Sequence, residues 1–132
     1  MDLTVESIRA AGGFTGAPVK REITWEQGGE SYTADVYVRR LSYYSAITDA
    51  QSLAGHGDLA ANRIAQCVCD EHGKPIFKLS DVTGHYDDGS PVMDVDQDGN
   101  EIERGALSHS LTFALLTAIG EVNELGKPTA GT

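Results

Sequence analysis

Residues 19–38 read VKREITWEQGGESYTADVYV, and this stretch decides the fold class. Apolar and polar residues alternate on both sides of Gly28-Gly29, which is the periodicity of half-buried β-strands. If the two glycines form a two-residue primed turn, the register of the hairpin follows and places Trp25 opposite Tyr32. The apolar sides of the two strands then coincide, which supports the same register independently. The sequence therefore predicts a β-hairpin with one apolar face.

The other face of the predicted hairpin is polar and typical of a solvent-exposed surface. It carries Lys20, Glu22, Thr24, Thr33, Asp35 and Tyr37. Among the aromatic residues of this region, Tyr37 is therefore predicted to be the exposed one. In this register Glu22 lies opposite Asp35, a mild like-charge conflict. A longer loop that contains the two glycines stays open as an alternative to the tight turn.

Helical signals are found on both sides of the hairpin. Residues 1–18 are interpreted as a leader of the kind that is often mobile, with a short helix from Thr4 to about Ala11 and a glycine-rich exit. After the hairpin, Ser42 is a candidate N-cap. The helix that it would begin carries Tyr43, Tyr44 and Ile47.

A further helix is predicted after Asp58, which is another candidate N-cap. Its apolar residues follow the spacing i, i+4, i+7, i+8 of one helix face and are Ala60, Ile64, Cys67 and Val68. Residues 70–75 are rich in turn formers, and residues 75–79 are predicted to return as an extended apolar segment.

The last predicted element is an amphipathic helix from about Ala106 to Leu125. Its apolar stripe has alternating spacings of four and three and consists of Leu111, Leu115, Ala118, Val122 and Leu125. Phe113, Leu116 and Ile119 widen this apolar side, which implies burial against more than one surface. Gly126 and Pro128 are typical of residues that follow the end of a helix. The whole pattern predicts a single α+β domain (1–132), in which an N-terminal antiparallel hairpin packs with several helices and a long C-terminal amphipathic helix.

The charge of the chain is strongly negative and unevenly distributed. Its 132 residues include 10 Lys and Arg against 20 Asp and Glu, for a formal net charge of −10. Residues 81–103 contain eight acidic side chains and no Lys or Arg. A chain without a basic footprint is not expected to bind nucleic acid or an anionic membrane surface. Turn formers interrupt residues 83–105, which are predicted to be a long acidic loop or a small exposed hairpin that pairs 92–95 with 101–103.

Within the acidic segment, Asp94, Asp96 and Asp98 precede Gly99 with the spacing of the first half of an EF-hand calcium loop. The second half of that loop does not follow, because position 12, a bidentate Glu in EF-hands, is Gly105. These three aspartates are therefore weak candidates for a metal site, and an aspartate-rich turn is the favoured interpretation.

The cysteines and histidines do not form a convincing catalytic or metal constellation. Cys67 and Cys69 are separated by one residue, whereas zinc sites space their cysteines by two to four and need four ligands. Both cysteines are instead predicted to be buried at the end of an apolar helix stripe, with His72 in the turn that follows. The sequence predicts no catalytic residues and no cofactor.

Several short motifs occur along the chain in an informative order. They are Gly13–Val19, Ile23–Trp25, Val36–Ser42, Asn62–Ala65, Cys69–Phe77 and Glu121–Asn123. In this order the sequence resembles the tail assembly chaperone family of long-tailed bacteriophages. The resemblance covers most of the chain, and about 84–104 look like an insertion relative to the family pattern.

The resemblance implies a small, non-enzymatic protein that acts in the cytoplasm of the infected host. Members of the family bind the long, largely helical tape measure protein, keep it soluble and recruit tail tube subunits, and they are absent from the finished particle. A ribosomal frameshift near the C-terminus is also implied, and Leu125-Gly126-Lys127 is compatible with a slippery codon sequence there. Three alternatives stay open: self-association through the C-terminal helix, a structural tail or head-completion component of a phage particle, and a weak calcium-binding module.

Overall fold

The structure is a computed structural model that describes residues 2–42 and 58–123. The described residues form four helices and five strands in an α+β arrangement, as predicted. In chain order they are α1 (Val5–Ala10), β1 (Val19–Gln27), β2 (Glu30–Val38), α2 (Leu59–Cys67), β3 (Val68–Cys69), α3 (Leu79–Thr83), β4 (Met93–Val95), β5 (Glu101–Glu103) and α4 (His109–Asn123). The helix predicted around Tyr43 and the residues after Asn123 lie outside the described residues.

The β1–β2 hairpin has the predicted register, with Trp25 opposite Tyr32 and a tight turn at the two glycines. Gly28 and Gly29 both have positive φ values, of 60° and 82°, as a primed turn requires. The rings of Trp25 and Tyr32 stack across the strands with their centroids 5.7 Å apart. The longer loop is therefore excluded.

The like-charge conflict on the outer face of the hairpin is relieved by a neighbouring cation. Glu22 does lie opposite Asp35. The Nζ of Lys20 is 3.7 Å from Oδ2 of Asp35, so this carboxylate has an opposite charge beside it. Both side chains are more than half exposed, so the ion pair contributes little to stability.

The hairpin and β3 form a three-stranded antiparallel sheet in the order β1-β2-β3. The inner face of this sheet carries Ile23, Val36 and Val38, which are all buried. Helices α2 and α4 contact each other, and α4 packs mainly along β1. The most deeply buried large side chains are Ile64, Leu115, Ile119, Val38, Val68, Cys67 and Cys69. The core therefore lies between one face of the sheet and these two helices.

The buried face of α2 differs from the predicted apolar stripe. Asp58 does cap the helix, since its carboxylate accepts the backbone N–H of Ala61 at 3.0 Å. Ala60 is exposed, however, and the buried helical positions are Ala61, Ile64 and Cys67. Val68 is buried too, but as a strand residue, because the chain leaves the helix there to pair with β2.

The extended segment predicted for residues 75–79 is only half right. Pro75 forms a bridge with Cys69, and the N–H of Ile76 donates to the carbonyl of Val68 at 3.3 Å. At Leu79 the chain turns into α3, because the carboxylate of Asp81 accepts the N–H of Lys78 at 2.8 Å and begins a helical turn.

The last helix begins later than predicted. It starts at His109 instead of Ala106, because the hydroxyl of Ser108 accepts the N–H of Leu111 at 3.3 Å and caps the helix. The preceding N–H of Leu107 donates to Val82, which anchors residue 107 outside the helix. Leu115, Ala118 and Ile119 are buried as expected. Phe113 does not contribute to the buried side, because 67% of its surface is exposed.

The exposed aromatic residues also differ from the prediction. Tyr37 is only half-buried, since β3 pairs with β2 at this position. Among the described aromatic residues, Phe113, Phe14, Tyr86 and Tyr32 are the exposed ones. The prediction that Tyr37 is exposed because it lies on the outer face of the hairpin was therefore wrong.

The acidic segment forms the small exposed hairpin that was predicted as one of two alternatives. Strands β4 and β5 pair from Met93 opposite Glu103 to Val95 opposite Glu101, and all six residues are exposed. Its base is fastened to the domain by the buried side chain of Val92 and by the N–H of Val92, which donates to the carbonyl of Gly84 at 2.9 Å.

Asp81 joins α3 to this base through a second contact. Its Oδ1 is 3.0 Å from Nη2 of Arg104, while its Oδ2 accepts the N–H of Lys78. The Lys78 hydrogen bond, followed by the Arg104 contact, holds the pKa of Asp81 below its usual value. A carboxyl with a lowered pKa stabilises the fold above the unfolded-state pKa of about 3.9, and this contribution disappears as pH falls through the folded-state pKa.

Asp81→Asn is therefore expected to lower the free energy of unfolding at neutral pH and to flatten its decline in acid. Urea denaturation over a series of pH values measures both effects. Glu101→Gln, which removes one exposed charge from β5 of the adjoining acidic hairpin, is the control and should change stability by less than about 0.5 kcal/mol. If the free energy of unfolding falls equally steeply in acid in Asp81→Asn and in the wild type, this role of Asp81 is contradicted.

Candidate functional site

The main candidate site is a groove between the outer edge of β1 and helix α4. The strand contributes Arg21, Glu22, Ile23 and Thr24, and the helix contributes Phe113, Ala114 and Thr117 among others. We call this surface the β1–α4 groove. It combines an open sheet edge, an exposed aromatic ring and several small side chains.

One wall of the groove is the backbone of β1, whose second edge has no strand beside it in the described part of the chain. In an antiparallel pair, successive residues alternate between bonding the partner strand and turning their N–H and C=O away from it. Because the turn has two residues, Gln27 and Glu30 are a hydrogen-bonded pair, and every second residue of β1 from Gln27 bonds to β2. The residues between them, Glu22, Thr24 and Glu26, direct their backbone N–H and C=O groups to the open edge. The N–H of Glu26 confirms this phase, because it donates to Oγ of Ser110 at 3.0 Å.

The other wall is one side of α4. The Glu26–Ser110 hydrogen bond fastens the first turn of the helix to the strand edge. Beyond it, Ala114 and Thr117 present small side chains to the groove, and Phe113 stands largely exposed at its rim. The helix therefore overhangs the strand edge without filling it.

Charged side chains of both signs line the groove. Glu22 and Glu121 are exposed and form no ion pair with another described residue, and Glu26 lies beyond the lining, nearer the hairpin turn. Arg21 lines the groove as well, whereas Lys20 lies beside Asp35 on the outer face. The net charge of −10 and the two exposed glutamates of the lining, Glu22 and Glu121, favour a positively charged partner.

The three candidate metal ligands lie in and next to the turn of the acidic hairpin. Asp94 is in β4, and its carboxylate accepts the N–H of Val95 at 2.8 Å. Oδ1 of Asp96 accepts the N–H groups of Asp98 and Asn100, each at 2.9 Å, so this carboxylate organises the turn. Within residues 2–42 and 58–123, no group of three or more His, Cys, Asp or Glu side chains is placed to hold a metal ion.

Both cysteines are buried, as predicted, and neither is in a disulfide. Sγ of Cys69 donates to the carbonyl of Tyr37 at 3.4 Å, and burial raises the pKa of this thiol. A thiol with a raised pKa stays protonated and is a poor nucleophile or metal ligand. His72 lies apart from them on the surface, with its Nε2 3.4 Å from the carboxylate of Glu71.

Sequence reasoning did not find the β1–α4 groove. The available signal was Phe113, which lies off the 4-3 stripe of the last helix and was assigned to its apolar side. Its exposure follows from where α4 meets β1, and a helix pattern alone does not contain that information.

The described helices include none that is both long and apolar enough to cross a membrane. No curated protein and no solved structure matches the sequence. A family model does match: that of the phage tail assembly chaperones covers residues 6–123. This range includes α1 from its second residue, the β1–β2 hairpin, the acidic segment and α4. The chain therefore belongs to the phage tail assembly chaperone family.

Proposed function

We propose that this protein binds the tape measure protein of its phage, keeps it soluble and helps to recruit tail tube subunits around it. The role is non-enzymatic, takes place in the cytoplasm of the infected host and leaves the protein outside the finished particle. The observation that carries the proposal is the family match over residues 6–123.

Two surface properties support a chaperone role. Because the net charge is −10, complexes of this protein with its client repel one another, and this favours their solubility. Exposed apolar side chains, Phe113 and Tyr32 among them, provide contact area for a client. We assign the acidic hairpin to the same single domain, as an appendage. It adds negative charge to the surface, and only its base is buried.

Co-expression with the tape measure protein of the same phage tests the proposal. The soluble share of the tape measure protein, measured by quantitative blotting of the cleared lysate and the pellet, is expected to rise several-fold. An unrelated acidic domain of similar size, expressed to the same level, controls for a general effect of negative charge. An insoluble share that does not differ between the two co-expressions would contradict the proposal.

A further inference from the structure

We propose that the β1–α4 groove binds an extended segment of a tail protein as an added β-strand. The segment has apolar side chains on the face beneath α4 and Lys or Arg on the other face. This inference rests on the proposed function only for the source of the segment. The hydrogen-bonding edge, the overhanging helix and the exposed carboxylate of Glu22 on the solvent face each support it.

The edge of β1 offers backbone groups in the pattern that a strand requires. Glu22 and Thr24 both turn an N–H and a C=O away from β2, which makes four groups available for a ladder with an incoming segment. Glu26 has already donated its N–H to Ser110, so the ladder begins at Thr24 and runs toward Lys20. An open edge of this kind binds extended peptides by strand addition.

Helix α4 supplies the apolar cover for such a strand. An added strand lies about 4.8 Å from β1, in the plane of the sheet. Its inward side chains would continue the row that includes Ile23 and would contact Ala114, Thr117 and the exposed ring of Phe113. The small residues leave room for side chains of the segment, and the ring covers them from solvent.

Charge determines the other face of the segment. Within the ladder, Glu22 points to the solvent-facing side of β1, and the charge of Lys20 on the same face is paired with Asp35. Glu26 lies just beyond the ladder, and Glu121 lies on the helix side of the groove. Residues directly opposite on neighbouring strands interact, and opposite charges stabilise the pair. A segment with Lys or Arg opposite Glu22 therefore complements this edge, whereas one with Glu at that position is repelled.

The overhanging helix disfavours a second copy of the chain as the occupant. In each copy α4 packs along β1, and Ser110 reaches the edge itself. Two copies joined by antiparallel pairing of their β1 strands would carry both α4 helices on the same face. The strands would be about 4.8 Å apart, while packed helices need axes about 8–10 Å apart. A segment without a covering helix of its own avoids this collision.

The test uses the full chain and the capped peptide Val-Lys-Val-Lys-Val-Lys-Val, with Val-Glu-Val-Glu-Val-Glu-Val as its charge control. Two matched variants are compared. Thr24 and Thr33 face each other across the hairpin, with their hydroxyls 3.1 Å apart. Thr24→Pro removes an N–H at the groove, and Thr33→Pro removes one at the outer side of β2, where β3 does not pair. Neither removes a bond between β1 and β2, because both residues turn their N–H groups outward.

Calorimetry and hydrogen exchange give the readouts. The lysine peptide is expected to bind the wild type and Thr33→Pro alike, to bind Thr24→Pro about tenfold more weakly or worse, and to slow exchange of the Glu22 and Thr24 amides. Phe113→Ala should also weaken binding, and the glutamate peptide should bind poorly at low salt.

Several results would overturn the proposal. Equal affinity of Thr24→Pro and Thr33→Pro for the lysine peptide is one of them, and peptide-induced protection outside the groove is another. Protection of both amides in the free protein at every concentration would show that the chain covers its own edge. Protection that rises with protein concentration would show that a second copy occupies it.

The co-expression assay separates this inference from the proposed function. If the wild type keeps the tape measure protein soluble and Thr24→Pro does so equally well, the groove is not the docking surface although the chaperone role stands. If the wild type itself has no effect, the proposed function fails independently of the peptide result.

Discussion

Gly84→Ala is expected to lower the free energy of unfolding by about 3 kcal/mol or more. Gly84 follows α3 with a φ of 81°, a left-handed conformation that costs other residues about 1–2 kcal/mol. A Cβ at this position would lie 2.6 Å from the carbonyl carbon of Gly105 and 2.7 Å from the nitrogen of Ala106. Both are backbone atoms at the base of the acidic hairpin, so the new methyl group has no flexible side chain to displace and overpacks the site.

Gly99→Ala separates backbone strain from this collision. Gly99 has almost the same φ, 82°, but no atom lies within 4 Å of a Cβ built there. Its substitution should cost only the left-handed strain, about 1–2 kcal/mol. Urea denaturation of both variants measures the difference. Equal losses of stability would show that Gly84 and Gly105 do not approach each other closely, and the attachment of the hairpin would need revision.

Leu115→Ala is the second large effect and concerns the core. Leu115 is 1% exposed and packs in the cluster formed by the sheet, α2 and α4. Truncating a buried leucine to alanine costs about 2–5 kcal/mol, because apolar contacts are lost and a cavity remains. The midpoint of urea unfolding should therefore fall strongly.

Phe113→Ala is the matched control on the same helix. It removes a larger side chain, but one that is mostly exposed, so its cost should stay within about 0.5 kcal/mol. Thermal and urea unfolding of the two variants compare the faces of α4 directly. A larger loss from Phe113→Ala than from Leu115→Ala would mean that the helix presents the opposite side to the core.

The elements that could be predicted from the sequence are those determined by local patterns. The paired glycines left one register that placed the apolar residues of both strands on the same side, and that register is observed. The acidic hairpin was one of two alternatives that the turn formers around Asp98-Gly99 left open, and it is the one observed. The buried side of α4 was recognised at Leu115 and Ala118 because a 3.6-residue period is readable without knowing the partner surface.

The elements that could not be predicted depend on contacts between distant residues. At Leu79 a helical turn competes with an extended conformation. The helix is favoured because the carboxylate of Asp81 accepts the N–H of Lys78 and also contacts Arg104 at the base of the acidic hairpin. Ala60 and Ala61 have equal apolar character, so only the packing of α2 decides which one is buried. The β1–α4 groove exists because Ser110 meets the edge of β1, 84 residues away from Glu26 in the chain.

The most direct test of the chaperone role is the aggregation of the tape measure protein during dilution from denaturant. Light scattering is followed with the wild-type chain, with Thr33→Pro, with Thr24→Pro and with an inert protein at the same concentration. We expect the wild type and Thr33→Pro to suppress scattering at near-equimolar amounts, and Thr24→Pro to do so less well. Scattering that is as strong with the wild-type chain as with the inert protein would contradict the account.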